Sequence, residues 1–407
     1  MTGARSLLRA AAVRETAQRM LSLAVHGDLA EWTVDRSRLA ATADFVAGVV
    51  RERYPRLNVP MHSRWRHFEF GDRNLWDAVA AGARWKNAAA EARAAFDLVI
   101  TSVLLDAGAG ASWRFNDRDT GRVAGRSEGL ALASLRWFQQ GGLSDDPAEP
   151  CRADAATLRR VDTQALQRAF QADAVNPLIG LVGRVGLLNR LGAVMESRPD
   201  LFAMEESPRP GGLFDALAAR TVQGRLPAAV ILETLLEALG PIWTGRPNLG
   251  GIALGDCWPH PALRGDRPES GYVALHKLSQ WLSYSLIEPL ERAGIRVSGV
   301  QDLTGLAEYR NGGLFVDMGV ITARDPAAAR RTYAVADPFV VGWRALTVAL
   351  LDELAPLIGS RLGLSPNRFP LGCALEGGTW AAGRAMARRM RTDGAPPFRI
   401  LSDGTVF

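Results

Sequence analysis

No uninterrupted apolar run in the sequence is long enough to cross a bilayer. The best stretch, Phe339 to Leu351, contains Trp343 and Arg344 and falls short of the roughly 20 residues a membrane helix needs. Cysteine is scarce: Cys151, Cys257 and Cys373 are far apart and odd in number, which excludes a disulfide framework and suits a reducing compartment. Cys257 and His260 make one C-x-x-H pair with no second pair to complete a zinc site, so no metal is expected and the pair reads as incidental. The sequence has no low-complexity segment, no repeat at solenoid periods, no G-x-S-x-G nucleophile and no P-loop. No basic run is interleaved with aromatics, which argues against nucleic acid as a partner. These absences leave a soluble, cytoplasmic, enzyme-sized protein as the expectation, with neither membrane nor nucleic acid as partner.

The chain has 407 residues, 47% of them apolar, which is enough for a large core. Its net charge of +5 comes from an excess that is mostly arginine and is spread out, which suits small anionic ligands such as phosphate. The first residues, MTGARSLLRAAAVRETAQRML, are basic and amphipathic as in a transit peptide, but the pattern runs on past Glu15 and reads as an ordinary first helix.

Helical spacing dominates. It predicts helices over Ala4–Leu23 and Ser37–Tyr54, two more between Asn74 and Leu105, and one through Leu130–Phe138. Asn176-Pro177 and Asp337-Pro338 each put a capping residue before a proline and predict helix starts. Gly180, Gly183 and Gly186 predict close approach of a neighbouring helix. Gly313–Thr322 reads as extended, and Asp403-Gly404 predicts a C-terminal β-hairpin. Without strand–helix alternation a doubly wound sheet is not expected. The expectation is a mainly α, multi-helical single fold over residues 1–407, with two lobes around a cleft and the polar connector Gly141–Pro150 as candidate hinge.

Five segments carry candidate chemistry. Asp106-Ala107-Gly108-Ala109-Gly110 after LVITSV resembles the cofactor loop of S-adenosylmethionine-dependent methyltransferases, but an alanine-rich helix ended by glycine is the favoured reading. The stretch His62 to Phe70 packs His62, Arg64, Trp65, Arg66, His67 and Glu69 into one loop, a density of polar groups that needs partners when buried. Gly255–Pro261 is an irregular loop rich in Gly, Pro and Trp. On a helix, His276, Gln280 and Ser283 share a face that could line a cleft, with Trp281 beside them; a satisfied histidine is the plainer alternative. Asp302–Asp317 gathers Asp302, Glu308, Arg310, Asn311, Gly312, Gly313 and Asp317, where carboxylates could stabilise a developing cation or activate water.

VPMHSRWRHFEFG, NPLIGLVGRVGLLNRLG, HKLSQWLSYSLIEPLERAG, TGLAEYRNGGLFVDMGV, LEGGTWAAGR and SDGTVF together resemble the uracil catabolism protein four family of fungi and bacteria, from about Arg14 to Phe407. The resemblance implies a step of uracil degradation. In that route uracil becomes a nucleotide, its ring is opened, and the ribosyl-urea formed, with or without phosphate, releases urea. The family is distantly similar to the queuosine-salvage N-glycosidases, and their A-D-Y-R stretch, with its catalytic aspartate, is similar to Ala307-Glu308-Tyr309-Arg310 here.

The resemblance therefore implies hydrolysis of an N-ribosyl bond without a cofactor or metal. Glu308 is the first choice of catalytic carboxylate, a longer residue than the family's aspartate, and Asp317 is the second. His62, Arg64, Trp65, Arg66, Glu69, His276, Gln280, Trp281 and Arg310 are the expected substrate contacts: Arg64 and Arg66 for a phosphate, Trp65 or Trp281 for stacking on the urea group. Two other readings stand beside it, a methyltransferase built on Asp106, Gly108 and Gly110, and a non-catalytic binding protein of the pathway. The oligomeric state is not legible.

Overall fold

The structure is a computed structural model that describes residues 3–401 apart from 72, 84, 111, 205 and 206. It is mainly helical. The principal helices are α1 (Ala10–His26), α2 (Leu39–Arg53), α3 (Leu75–Ala83), α4 (Ala88–Leu104), α5 (Arg126–Gln139), α6 (Leu181–Ser197), α7 (Ala228–Leu239), α8 (Lys277–Arg292), α9 (Tyr309–Asp317), α10 (Pro338–Leu362) and α11 (Trp380–Met390). Among the described residues, strands occur only as short pairs, such as Trp32–Val34 with Ile321–Ala323. No described helix is long and apolar enough to cross a membrane. The Asp403-Gly404 hairpin lies outside the described residues; just before it, Arg399–Ile400 pairs in parallel with Thr332–Tyr333.

Contacts divide the chain into two compact units. Among the described residues, the first takes those up to His62, Arg246–Gln280 and those from Gln301 on; the second takes Ser63–Gly245 and Trp281–Val300. The connector Gly141–Pro150 lies within the second unit, where Ser144 Oγ donates to the carbonyls of Asp146 and Glu149.

The spine of the first unit is α10. Asp337 Oδ1 accepts from the Phe339 N–H with Pro338 at the first helical position, as the sequence predicts, and Gly363 ends the helix at φ +70°. Its residues are buried on most faces, which suits a helix in the middle of a core. Helices α1 and α2 pack on it, and the rings of Trp32, Phe339, Trp343 and Phe398 cluster at its first turns.

Glycines let α9 approach both its neighbours. A Cβ on Gly312 would lie 2.8 Å from Trp343 Nε1 of α10, and one on Gly383 of α11 would lie 2.2 Å from the Arg310 carbonyl oxygen. The extended reading of Gly313–Thr322 is thereby corrected. Residues up to Asp317 are helical and only Ile321–Ala323 is a strand, because Glu308 starts a helix that neighbouring helices then cover.

In the second unit α4 is the buried helix. Asn87 caps it by accepting from the Ala90 N–H, and α5 packs on it through a Ser102–Ser134 hydroxyl contact of 2.5 Å. LVITSV lies inside α4, so there is no strand before Asp106 and the methyltransferase reading falls. Arg184 of α6 is buried and caps the helix end, donating to the carbonyls of Leu105 (2.7 Å), Ala107 (2.7 Å) and Gly108 (3.1 Å). Burial lowers the Arg184 pKa to about 10.

The helix start expected at Asn176-Pro177 is also corrected. Helix α6 begins at Leu181 after Gly180, and the Asn176 side chain instead bridges Arg114 and Gln171. Close helix contact falls at Gly192, where a Cβ would meet the Ala155 carbonyl at 2.6 Å. At Gly186 it would meet only Arg190 of the same helix.

Candidate functional site

Glu308 stands immediately before α9 and caps it. Its Oε2 accepts from the Arg310 N–H (3.0 Å) and its Oε1 from the Asn311 N–H (2.8 Å), and the residue is 8% exposed. Both oxygens are thus fixed at a helix N-terminus, where the helix dipole favours negative charge.

Arg310, in the first turn of α9, lies over the Trp380 ring with its guanidinium carbon 4.1 Å from the ring centroid. Arg384 covers the same ring at 5.0 Å. Among the described residues no carboxylate pairs with the Arg310 guanidinium, although the residue is buried.

The His62 ring is 6.4 Å from the Trp380 ring, and its Nδ1 is 2.6 Å from Glu376 Oε2. Arg53 and Tyr54 also reach Glu376 Oε1, at 3.5 and 3.4 Å. Glu376 sits in a π-helical turn, Leu375–Thr379, that leads into α11. Such turns widen a helix locally and often accompany functional side chains. This one is pressed onto α2 and the segment after it: Cβ atoms on Gly378 and Gly377 would meet Val46 and Val59 at 2.4 and 2.6 Å.

A second buried polar group adjoins the first through the segment before Glu308. Arg344 of α10 donates Nε to the Ala307 carbonyl (3.1 Å) and grips Asp256 with both terminal nitrogens at 2.7 Å. Burial alone would raise the Asp256 carboxyl. Arg344, the Trp258 N–H and the Lys277 N–H outweigh it and hold the group well below the usual carboxylate range. The Asp256 carbonyl accepts from the Leu275 and His276 N–H groups, and His276 Nε2 meets the Leu7 carbonyl at 2.9 Å. Burial pushes the His276 pKa down, so its ring is neutral near pH 7. One turn along α8, Gln280 Oε1 accepts from the Thr304 N–H at 3.3 Å.

In the first unit Gln280 and Glu308 bond to backbone within Thr304–Asn311, His62 and Arg310 both lie near the Trp380 ring, and His276 bonds to Asp256, the partner of Arg344. Asp317 lies at the other end of α9, where Arg391 holds it through two bonds of 2.8 and 2.6 Å.

The remaining expected contacts belong to the second unit. Arg64 is wholly buried and fully engaged: Nη1 pairs with Asp106 at 2.5 Å, Nε donates to Ser102 Oγ at 2.7 Å, and Trp281 lies 5.6 Å from its guanidinium carbon. Arg66 pairs with Glu288 (2.6 Å) and Glu69 (3.0 Å). Trp65 is a core residue, donating Nε1 to the Ser285 carbonyl at 2.7 Å and packing on Trp76 and Phe68.

Glu376, Trp380 and Arg344 were not among the expected site residues, and Asp256 was noted only as part of the irregular Gly255–Pro261 segment. The Glu-Gly-Gly run at 376–378 was the available signal for the first two, since adjacent glycines beside an acid mark a place where backbone packs closely around it. Asp256 and Arg344 are nearly ninety positions apart and no local pattern joins them. His260 of the C-x-x-H pair is structural: its Nδ1 accepts from the Ala262 N–H and its Nε2 meets the Pro338 carbonyl.

Comparison with known proteins places this geometry in context. Residues 6–407 match the family model described as Protein of unknown function (DUF1688). Protein urg3 of Schizosaccharomyces pombe is 37% identical over 408 residues, which covers 97% of this chain and 96% of that protein. Uracil catabolism protein 4 of Lachancea kluyveri is 34% identical over 431 residues, covering 97% of each.

Proposed function

Because the chain belongs to the DUF1688 family and aligns along nearly its whole length with fungal urg3 and uracil catabolism protein 4, we propose that it acts in uracil degradation and hydrolyses the N-ribosyl bond of ribosyl-urea, with or without a phosphate. The bond between the anomeric carbon and nitrogen breaks, its electron pair leaves with the urea nitrogen, and water adds to the sugar. Ribosyl-urea and water become ribose and urea.

The observation that carries this reading is the Glu308 carboxylate, buried and fixed by two backbone N–H groups. As the bond stretches, the sugar gains oxocarbenium character, and a preoriented anion stabilises that charge more than it stabilises the neutral substrate. The departing nitrogen needs a proton. His62 supplies it in this scheme, since the Glu376 carboxylate on one ring nitrogen fixes the orientation of the ring. Arg310 is the group for a phosphate, because Arg64 and Arg66 already hold carboxylates. Asp317 is left a structural part, neutralised by Arg391.

The test is to incubate the purified protein with ribosyl-urea and with its phosphate and to measure urea. Release from at least one, abolished or strongly reduced in Glu308→Gln, is the expected result. Tight binding without release would leave a non-catalytic binding role in the pathway.

A further inference from the structure

We propose that Gln280 and Asn311 form a ureido-recognition pair, in which the Gln280 amide N–H donates to the ligand's carbonyl oxygen and Asn311 Oδ1 accepts from its N–H. The proposal rests on the reading of this site as one that cleaves ribosyl-urea, and names the part of the site that would hold the urea half.

Both amides are anchored by one end to the same short backbone segment. Gln280 accepts from the Thr304 N–H at 3.3 Å, and Asn311 donates Nδ2 to the Leu306 carbonyl at 3.2 Å. These anchors fix which way each amide is turned. A backbone N–H can meet only the oxygen of Gln280, and a backbone carbonyl only the nitrogen of Asn311.

The other end of Gln280 is therefore an N–H donor and the other end of Asn311 a carbonyl acceptor. Both of these ends, Gln280 Nε2 and Asn311 Oδ1, are without a protein partner, in residues 0% and 2% exposed. Buried polar atoms are almost always paired, so an orphaned donor and an orphaned acceptor on side chains anchored to one segment require an account. A group that presents a carbonyl beside an N–H, uncharged and planar, carries the acceptor and the donor that these two ends call for.

Three further observations agree. His276, just before the helix that carries Gln280 and so not on its face as the sequence suggested, has its Nε2 bonded to the Leu7 carbonyl, so Nε2 carries the proton and Nδ1 is a second orphaned acceptor. His276 is also held at φ +47°, a left-handed conformation uncommon outside glycine, and backbone strain of this kind gathers at ligand sites. Finally, the Asn311 backbone N–H donates to Glu308, so the proposed recognition residue and the proposed catalytic carboxylate belong to the same helix start.

The experiment is a ligand-observed NMR titration with N-methylurea, which carries the ureido group but has no ribosyl bond to cleave. Gln280→Glu keeps the oxygen that anchors Thr304 and replaces the free donor with an acceptor. Gln280→Met removes both ends, and serves if the buried carboxylate prevents folding. Wild type should bind N-methylurea, and each folded variant should weaken binding about tenfold or more while leaving binding of D-ribose unchanged. Equal binding by wild type and variants, or no binding by wild type, overturns the proposal. Because N-methylurea is not a substrate, this result is independent of turnover. Donor-dependent binding in a protein that releases no urea from ribosyl-urea would sink the hydrolase reading and keep the recognition pair.

Discussion

At the scale of single residues, position along α9 decides what each carboxylate can do. Glu308 is at the N-terminus with its oxygens aligned by backbone donors, whereas Asp317 is at the far end and neutralised by Arg391. Glu308→Gln should lower kcat for urea release on the order of a hundredfold and change KM less, because the charge matters most when the sugar is cationic. Asp317→Asn should leave kcat within a few-fold and lower thermal stability instead. The opposite ranking in steady-state assays would reverse the two assignments. The arginines divide in the same way. Arg310→Met should raise KM for the phosphorylated substrate well above that for the unphosphorylated one. Arg64→Met should show up as lost stability, since it strands Asp106 in a buried site. Equal KM changes on both substrates in Arg310→Met would remove the phosphate role.

At the scale of elements, glycines were legible as markers of close packing but not of where it happens. In sequence the Gly312-Gly313 pair allows backbone conformations that bring groups close to a ligand. In the folded chain it lies within α9, and Gly312 admits Trp343. The cap that makes this segment helical is a glutamate, a residue seldom found at that position, so the sequence signal for a helix start was missing. At Asp337-Pro338 the usual cap and proline were present, and the helix start was legible there. The close approach of α9 and α11 is testable. Gly383→Ala would force a Cβ to 2.2 Å from the Arg310 carbonyl and should destabilise the protein by about 1–3 kcal/mol. Gly48→Ala in α2 meets nothing within 4 Å and should stabilise by about 0.5–1 kcal/mol through helix propensity. Thermal denaturation of both variants checks the contrast; a neutral Gly383→Ala would show that the helices can separate there at no cost.

At the scale of the whole molecule, helical periodicity and the absence of strand alternation made the mainly α class readable. Most of α1–α5 fell where apolar spacing put them. The candidate site was legible only in part: Glu308, Arg310, His62, His276 and Gln280 stand in conspicuous polar segments, but pairings such as Asp256–Arg344 and His62–Glu376 join positions that only the folded chain brings together. A buried carboxylate contributes to the pH dependence of stability. Burial raises the Asp97 carboxyl to about 6 despite Arg209 and the Gly211 N–H. From its ordinary value of 3.8 up to about 6 the folded chain binds a proton that the unfolded chain has released, so this group's contribution to stability falls as pH rises through that window and is level above it. Guanidinium denaturation of wild type and Asp97→Asn should show wild type losing stability relative to the variant over that range. A pH-independent difference would mean Asp97 stays charged.

The most direct test of the central claim is the release of urea from ribosyl-urea and its phosphate by wild type and Glu308→Gln, measured side by side on folded protein. The account predicts catalytic urea release by wild type from at least one of the two and a loss of about a hundredfold or more in the variant. Wild-type turnover in Glu308→Gln, or no urea from either substrate with wild type, would contradict it.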